Sequence, residues 1–314
     1  MLRAVCMDSK TSEVLRRLSL PNLRITTIEE IEEADGQLGT VRAGRTIWEY
    51  CWTATPAVCR YFLEAEPNLE LLTYLDADLF IWSSVAPLFA ELGDDSILLI
   101  PHRARRETDQ TVGIYNVGWV TFRNDARAHA AVRWWRERCL EWCYDRVEPE
   151  RFGDQKYLDD WPTRFEGVRV STLAAAGLGP WNETRHRVSA DPDEGPPLVD
   201  GAPLIFFHHS GIHPQRATWI SRLLARRTDD VELVEARVSI LHTFSNERSV
   251  SAVRDLIWRP YTVSLTAAIS ELAAAQAPVE AWADRPSRRL LLRHLLQLLR
   301  HSLRRHPAAP VAAP

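Results

Sequence analysis

The chain has 314 residues, 46 % of them apolar, and a formal net charge of −4, material for one large α/β domain or a domain with an appendage. The slight acidic surplus excludes the basic footprint of a nucleic-acid binder, and no apolar run approaches the ~20 residues of a membrane span. Five cysteines, Cys6, Cys51, Cys59, Cys139 and Cys143, form no doubled CxxC pattern, which argues against a disulfide scaffold or zinc site and for reduced thiols in the cytoplasm.

In chain order, LRAVCMDS reads as a short buried strand, and TSEVLRRLSL as an amphipathic helix capped by Thr11 or Ser12. LRITTIEEI reads as a second strand. RTIWEYCWTATPAVCRYFLEAEP has helical period with Pro56 inside it. LLTYLDADLFIW and SILLIPH follow as strands, then YNVGWVTFRND. A helix over DARAHAAVRWWRERCLEWCYDRV starts near Asp125, and its Cys139 and Cys143 share a face and read as core. Residues 152 to 200 are rich in Pro, Gly and Trp and read as loop-dominated; PLIFFHHSG is one more strand. The alternation predicts an α/β domain with a mixed, mostly parallel sheet flanked by helices, over residues 1–215. A C-terminal helical region, 216–306, and a disordered tail, 307–314, complete the expected organisation.

Asp76 and Asp78 break the apolar run of LLTYLDADLFIW. At i and i+2 of a strand they point to one face. Two like charges there are costly without a cation between them, and a divalent ion with oxygen ligands is the natural partner. If the strand ends near Asp78, the pair lies at the carboxyl edge, where open α/β sheets bind ligands. The bland alternative is a turn cap, and Asp-x-Asp alone does not decide.

Four segments in order do more. YLDADLF, YNVG (Tyr115 to Gly118), GDQKYLDDWP (Gly153 to Pro162) and HHSG (His208 to Gly211) together resemble the GT-A-fold (Rossmann-like) nucleotide-sugar glycosyltransferases, close to the family 8 type. GIYNVGWVTFRND, FGDQKYLDDWP and GPWN also look like a bacterial subgroup of glycosyltransferases. The likeness covers roughly residues 1 to 215. It implies a metal-dependent transferase that moves a sugar from a nucleotide-diphosphate sugar to an acceptor hydroxyl, in bacterial glycan or glycolipid synthesis, with retention of anomeric configuration.

Carried over residue by residue, the resemblance makes Asp76, Asp78 and His208 the metal ligands, with Mn²⁺ suiting an imidazole better than Mg²⁺. Asp76 also contacts ribose, and Gly211 lets the backbone approach phosphate. Asn116 hydrogen-bonds the transferred sugar; Asp154, with Gln155 beside it, lies near the anomeric carbon, unless it merely caps a helix. Asp159 and Asp160 face solvent or brace a loop. Trp161 and Trp181 stack on sugar rings or pack under a loop. His209 faces away from His208. Arg45, Glu49 and Thr53 share a helical face, and Arg45 is placed in the donor pocket.

The sequence departs from the family in two places. It begins at what would be the second βα unit, which reads as a misassigned start or as a missing part of the base-binding wall. Where the family has a lysine for the diphosphate it has Pro214, and Arg216 is the substitute. Two other classes stay open: a degenerate domain that binds a glycan or a partner, and an Asp-x-Asp phosphatase, disfavoured by Phe80 two residues after the second acid. The terminal segment RRLLLRHLLQLLRHSLRRHP reads as a basic amphipathic helix, docked on protein or lying peripherally on the inner membrane face.

Overall fold

The computed structural model describes residues 1–210, 214–216, 231–234, 238–241, 251–275 and 277. The chain divides into two compact units, Met1–Ser210 with Arg248–Val253, and Gly211–Glu247 with Arg254–Pro314.

The first unit is mixed α/β. β1 (Leu2–Cys6) pairs in parallel with β2 (Leu23–Thr27) across α1 (Ser9–Leu18). Asp8, not Thr11 or Ser12, caps α1: the helix begins at Ser9, and the Asp8 carboxylate accepts from Thr11 N at 2.9 Å, a favourable place for negative charge. The strand read over LRITTIEEI stops at Thr27, because Thr27 and Glu30 form a capping box that opens α2 (Ile28–Ala34). A second such box, Thr46 with Glu49, opens the long helix α4 (Ile47–Ala65), which follows the single turn α3 (Leu38–Val41) and runs through Pro56.

A four-stranded sheet carries the order β3 (Leu71–Leu75), β6 (Tyr115–Arg123), β5 (Ile97–Pro101), β7 (Val168–Val170). A three-stranded sheet carries β4 (Leu79–Ile81), β12 (Phe206–His208), β8 (Ala176–Leu178). The strands β9 (Val188–Ser189), β10 (Leu198–Val199) and β11 (Ala202–Pro203) form a small sheet of their own. α5 (Ala86–Leu92) and α6 (Arg106–Val112) link β4 to β5 and β5 to β6.

The expected α/β class is observed, but the mostly parallel sheet is not. β6 runs antiparallel to both β3 and β5, and β12 is antiparallel to β4; β5–β7 and β8–β12 are the parallel pairs of these two sheets. A fully buried strand such as ILLIP reads the same in either direction, so the pattern carries no sense of orientation. The segment 152–200 also holds more order than its composition implies, including a 3₁₀ turn at Gln155–Leu158, α8 (Trp161–Arg164) and four short strands.

The main core lies between the four-stranded sheet and helices α4 and α7 (Ala126–Glu141), with Leu99, Val120, Phe122, Trp135, Leu158 and Trp161 fully buried. Asp125 caps α7, as its position predicts, accepting from Ala128 N at 2.9 Å. Trp135 on α7 donates its indole N–H to the Asp154 carbonyl at 2.8 Å and so fixes the GDQ segment from below. Cys139 and Cys143 are buried beside it, free and packed as core. In the second unit, β13 (Pro214–Arg216), β15 (Val238–Leu241) and β14 (Val231–Val234) form an antiparallel sheet, and a helix spans Arg259–Ala274.

Candidate metal centre

The two acids do not lie within one strand. β3 ends at Leu75, Asp76 N still donates to Gly118 O at 3.0 Å, and the chain then turns through Ala77 and Asp78 into β4, which belongs to the other sheet. The turn is the seam between two sheets. Antiparallel pairing of β4 with β12 sets Leu79 opposite His208, and His209 N donates to Asp78 O at 2.9 Å. A residue 130 positions downstream of Asp78 is thereby delivered to the acid pair.

Ligating atoms of Asp76, Asp78 and His208 all lie within 4.8 Å of one another. His208 Nε2 is 2.9 Å from Asp78 Oδ1 and 3.6 Å from Asp76 Oδ2. His208 is buried, whereas the Asp76 and Asp78 side chains keep 36 % and 40 % of their surface, so the cluster opens on the carboxylate side. Burial works against charge on all three. For His208 the hydrogen bond and charge of Asp78, with Asp76 behind, outweigh burial and hold the imidazole above its ordinary value. Asp78 is held low by the same contact against burial, and Asp76 is pushed up by burial and by Asp78's charge.

A chain of hydrogen bonds fixes the ring. Gly118 N donates to Asn116 Oδ1 at 2.8 Å, so this oxygen also accepts from His208 Nδ1 at 3.2 Å. The Asn116 amide nitrogen then faces His102 Nε2 at 3.0 Å, and His102 Nδ1 donates to the Gly113 carbonyl at 2.9 Å. Burial lowers His102 to about 4, which keeps it neutral and able to accept. The result leaves Nε2 of His208 pointing at the acids, the orientation that supporting hydrogen bonds give to metal-ligating histidines. Gly118 is required by space: a Cβ there would stand 2.6 Å from His208 Nδ1, His208 Cε1 and Asn116 Oδ1. Asn116, placed on the transferred sugar by resemblance, thus has its oxygen engaged by Gly118 and His208.

Behind Asp76, Tyr74 OH donates to Oδ1 at 2.8 Å and lies 3.4 Å from the Thr55 hydroxyl, which also hydrogen-bonds the Asp154 carboxyl. Asp154 is 4 % exposed. Burial first, then the Asp76 charge, push its carboxyl well above the usual range. Gln155 donates its amide to Val112 O at 2.9 Å. Asp154 and Gln155 therefore sit within the wall of the site and not at its open face.

The other candidates separate. Arg45 does not join the cluster; its guanidinium bonds Thr53 and the Leu140 carbonyl and stacks on Tyr144, which ties α4 to the end of α7. Glu49, on the face of α4 that carries Thr53, accepts from Asp145 N at 2.9 Å. Asp159 braces a loop, accepting from Ile114 N at 2.7 Å, and Asp160 pairs with Arg164 at the surface. Trp161 is core, against Phe122 and Trp135. Trp181 stands edge-on to His208, 5.3 Å between ring centres, and donates its indole N–H to His102 O at 2.9 Å. GPWN serves this placement, since Asn182 also donates to His102 O and accepts from Gly179 N. His209 turns to Phe80 and Phe207. Gly211 and the terminal basic segment lie outside the described residues. Arg216 ends β13, where only the backbone is described. No helix among the described residues is long and apolar enough to cross a membrane. Tyr74, Thr55 and His102 escaped the sequence reading. Tyr74, near the end of β3 and two residues before Asp76, was the one with a usable signal.

No family model matches the sequence. YfnF of Bacillus subtilis (strain 168), itself uncharacterized, is 35 % identical over 216 residues, 66 % of this chain and 70 % of YfnF. The chain belongs to the family of YfnF. YfnD of the same organism, likewise uncharacterized, is 34 % identical over 216 residues, 67 % of this chain and 68 % of YfnD, so the YfnF family includes at least these two relatives. Among solved structures, a glycosyltransferase involved in glycosylation of the major capsid of PBCV-1 aligns with 67 % of the chain and 93 % of its own, at TM-score 0.38 and 11 % identity. Mouse xyloside xylosyltransferase 1 in its apo form aligns with 67 % and 84 %, at 0.38 and 12 %.

Proposed function

We propose that the chain is a metal-dependent glycosyltransferase of the family 8 type, moving a sugar from a nucleotide-diphosphate sugar to an acceptor hydroxyl. The observation that carries this reading is the meeting of Asp76, Asp78 and His208 at an open-sided cluster, the same three positions that the ordered motifs mark. Two carboxylates and an imidazole with its other nitrogen already engaged suit Mn²⁺ or a similar ion. When bound, such an ion offsets the charge gathering on the departing diphosphate.

The chain's own residues set the stage. Asn116 and His102 hold the His208 ring, and Gly118 leaves room for it. Tyr74 orients Asp76 from behind. Trp181 shields the His208 edge. In the reaction the acceptor oxygen bonds to the anomeric carbon, the bond from that carbon to the diphosphate oxygen breaks, and the acceptor proton passes to the departing diphosphate. Asp154 and Gln155 act here as positioning residues, with the Asp154 carboxyl, pushed up by burial, held behind Thr55 and Tyr74. Arg216 and Gly211 remain the proposed contacts for the diphosphate, and residues 1–215 the catalytic domain.

The test is a panel of nucleotide sugars with Mn²⁺, read by thermal shift and then by release of nucleoside diphosphate. One donor should raise Tm only with metal present and turn over with an acceptor. A chain that binds metal but responds to no nucleotide sugar would refute the reading.

A further inference from the structure

The connection from β5 to β6 borders an open cavity of ≈ 590 Å³, lined also by Lys156, Asp159 and Arg185, that the metal cluster does not use. Its wall is continuous with the scaffold of His208. Arg103 follows His102, and Ile114 follows Gly113, whose carbonyl accepts from His102. The cavity wall therefore adjoins His102 in sequence and, through His102 and Asn116, the ring of His208.

The lining carries Arg103, Arg106, Lys156 and Arg185 against Asp109 and Asp159. Asp159 is engaged elsewhere, while Asp109 lies close enough to Arg185 for the two charges to interact. Asp159 accepts from Ile114 N and lies 3.5 Å from Lys156 Nζ. Asp109 is turned inward, with Oδ1 buried, and burial pushes its carboxyl up. Arg103, at φ +50°, donates to the carbonyls of Ala176 and Ser171, both at 2.9 Å, which orient the guanidinium, and it also meets the charge of Glu91. The guanidinium groups of Arg106 and Arg185 make no hydrogen bond or ion pair among the described residues. Guanidinium groups bind tetrahedral oxyanions, and the volume admits a ligand of sugar-phosphate size.

We propose that this cavity is an acceptor subsite for a phosphate monoester, a phosphorylated sugar or polyol whose phosphate lies against Arg106 and Arg185 with Arg103 behind; the acceptor role rests on the glycosyltransferase reading above. The phosphate anchors the acceptor so that a free hydroxyl receives the sugar.

The experiment is calorimetric titration of the full chain with inorganic phosphate in EDTA. Wild type and Asp78→Asn should bind one phosphate per chain, and Arg106→Gln/Arg185→Gln should bind about tenfold more weakly or worse. Equal binding by the double variant, or no saturable binding by wild type, overturns the subsite. So does displacement of phosphate by uridine diphosphate in EDTA, because the cavity would then be a seat for the donor's diphosphate. Mn²⁺ binding by the same samples separates the two proposals. Phosphate binding without Mn²⁺ binding would sink the transferase reading and with it the acceptor role, leaving an anion site. Mn²⁺ binding without phosphate binding would sink only the subsite.

Discussion

His208 Nδ1 lies 3.2 Å from Asn116 Oδ1, and this contact decides which nitrogen the ring offers to the acids. The Asn116 oxygen is fixed as an acceptor by the Gly118 amide, so Nδ1 must carry a proton and Nε2 is left for Asp76, Asp78 and an ion between them.

Asn116→Leu should therefore fold yet bind Mn²⁺ about 10–100-fold more weakly, the usual cost of removing a partner that orients a metal ligand. Calorimetric Mn²⁺ titration with circular dichroism as the fold control reads this. Unchanged affinity would mean that the ring is held by packing alone.

Gly118→Ala places a methyl group 2.6 Å from both the His208 ring and the Asn116 oxygen. Overpacking of this kind costs about 1–3 kcal/mol, and the ring must leave its position. A lower Tm together with weakened Mn²⁺ binding is the expected pair of results, whereas a lower Tm with full affinity would contradict the geometry.

Asp35 and Arg136 form a buried two-pronged ion pair that joins α2 to α7, with Gln37 as a third partner at 3.1 Å. Burial opposes the Asp35 charge, but the hydrogen bonds and charge of Arg136 win and hold its carboxyl low. Asp35→Asn strands the guanidinium and should cost about 3–5 kcal/mol, and Asp35→Asn/Arg136→Met should recover much of it. Denaturant midpoints of the three variants decide.

His209, packed between Phe80 and Phe207, is lowered to about 3 by burial. A histidine lowered on folding binds its proton in the unfolded chain first, so stability is lost as pH falls from its unfolded value of about 6.5 toward that folded value. His209→Phe should gain on wild type by up to about 1.4 kcal/mol per pH unit between pH 6 and 4. A difference that stays flat across this range would show that His209 takes up a proton in place.

Much of the site was legible in the sequence because its chemistry sits in compact signals. Two acids one residue apart in an apolar run, and HHSG after a strand, mark positions that the fold brings together. What stayed hidden was direction and depth. Nothing in YNVGWVTFR says that β6 runs antiparallel, yet that pairing puts Gly118 O on Asp76 N. Nothing in GDQ says that Trp135 and Thr55 enclose Asp154. Helical spacing puts Arg45 on one face with Thr53, but α4 starts at Ile47; Arg45 precedes the Thr46 cap in extended backbone and reaches Thr53 and the Leu140 carbonyl of α7 from outside the helix.

The most direct measurement is Mn²⁺ binding followed by loss of the free-ion paramagnetic resonance signal, in wild type, Asp78→Asn and His208→Ala. Wild type should bind one ion per chain, with affinity that rises with pH as the Nε2 proton leaves His208, and both variants should lose that site while keeping their circular dichroism. No saturable binding by wild type, or undiminished binding by the two variants, would contradict the metal centre and the transferase built on it.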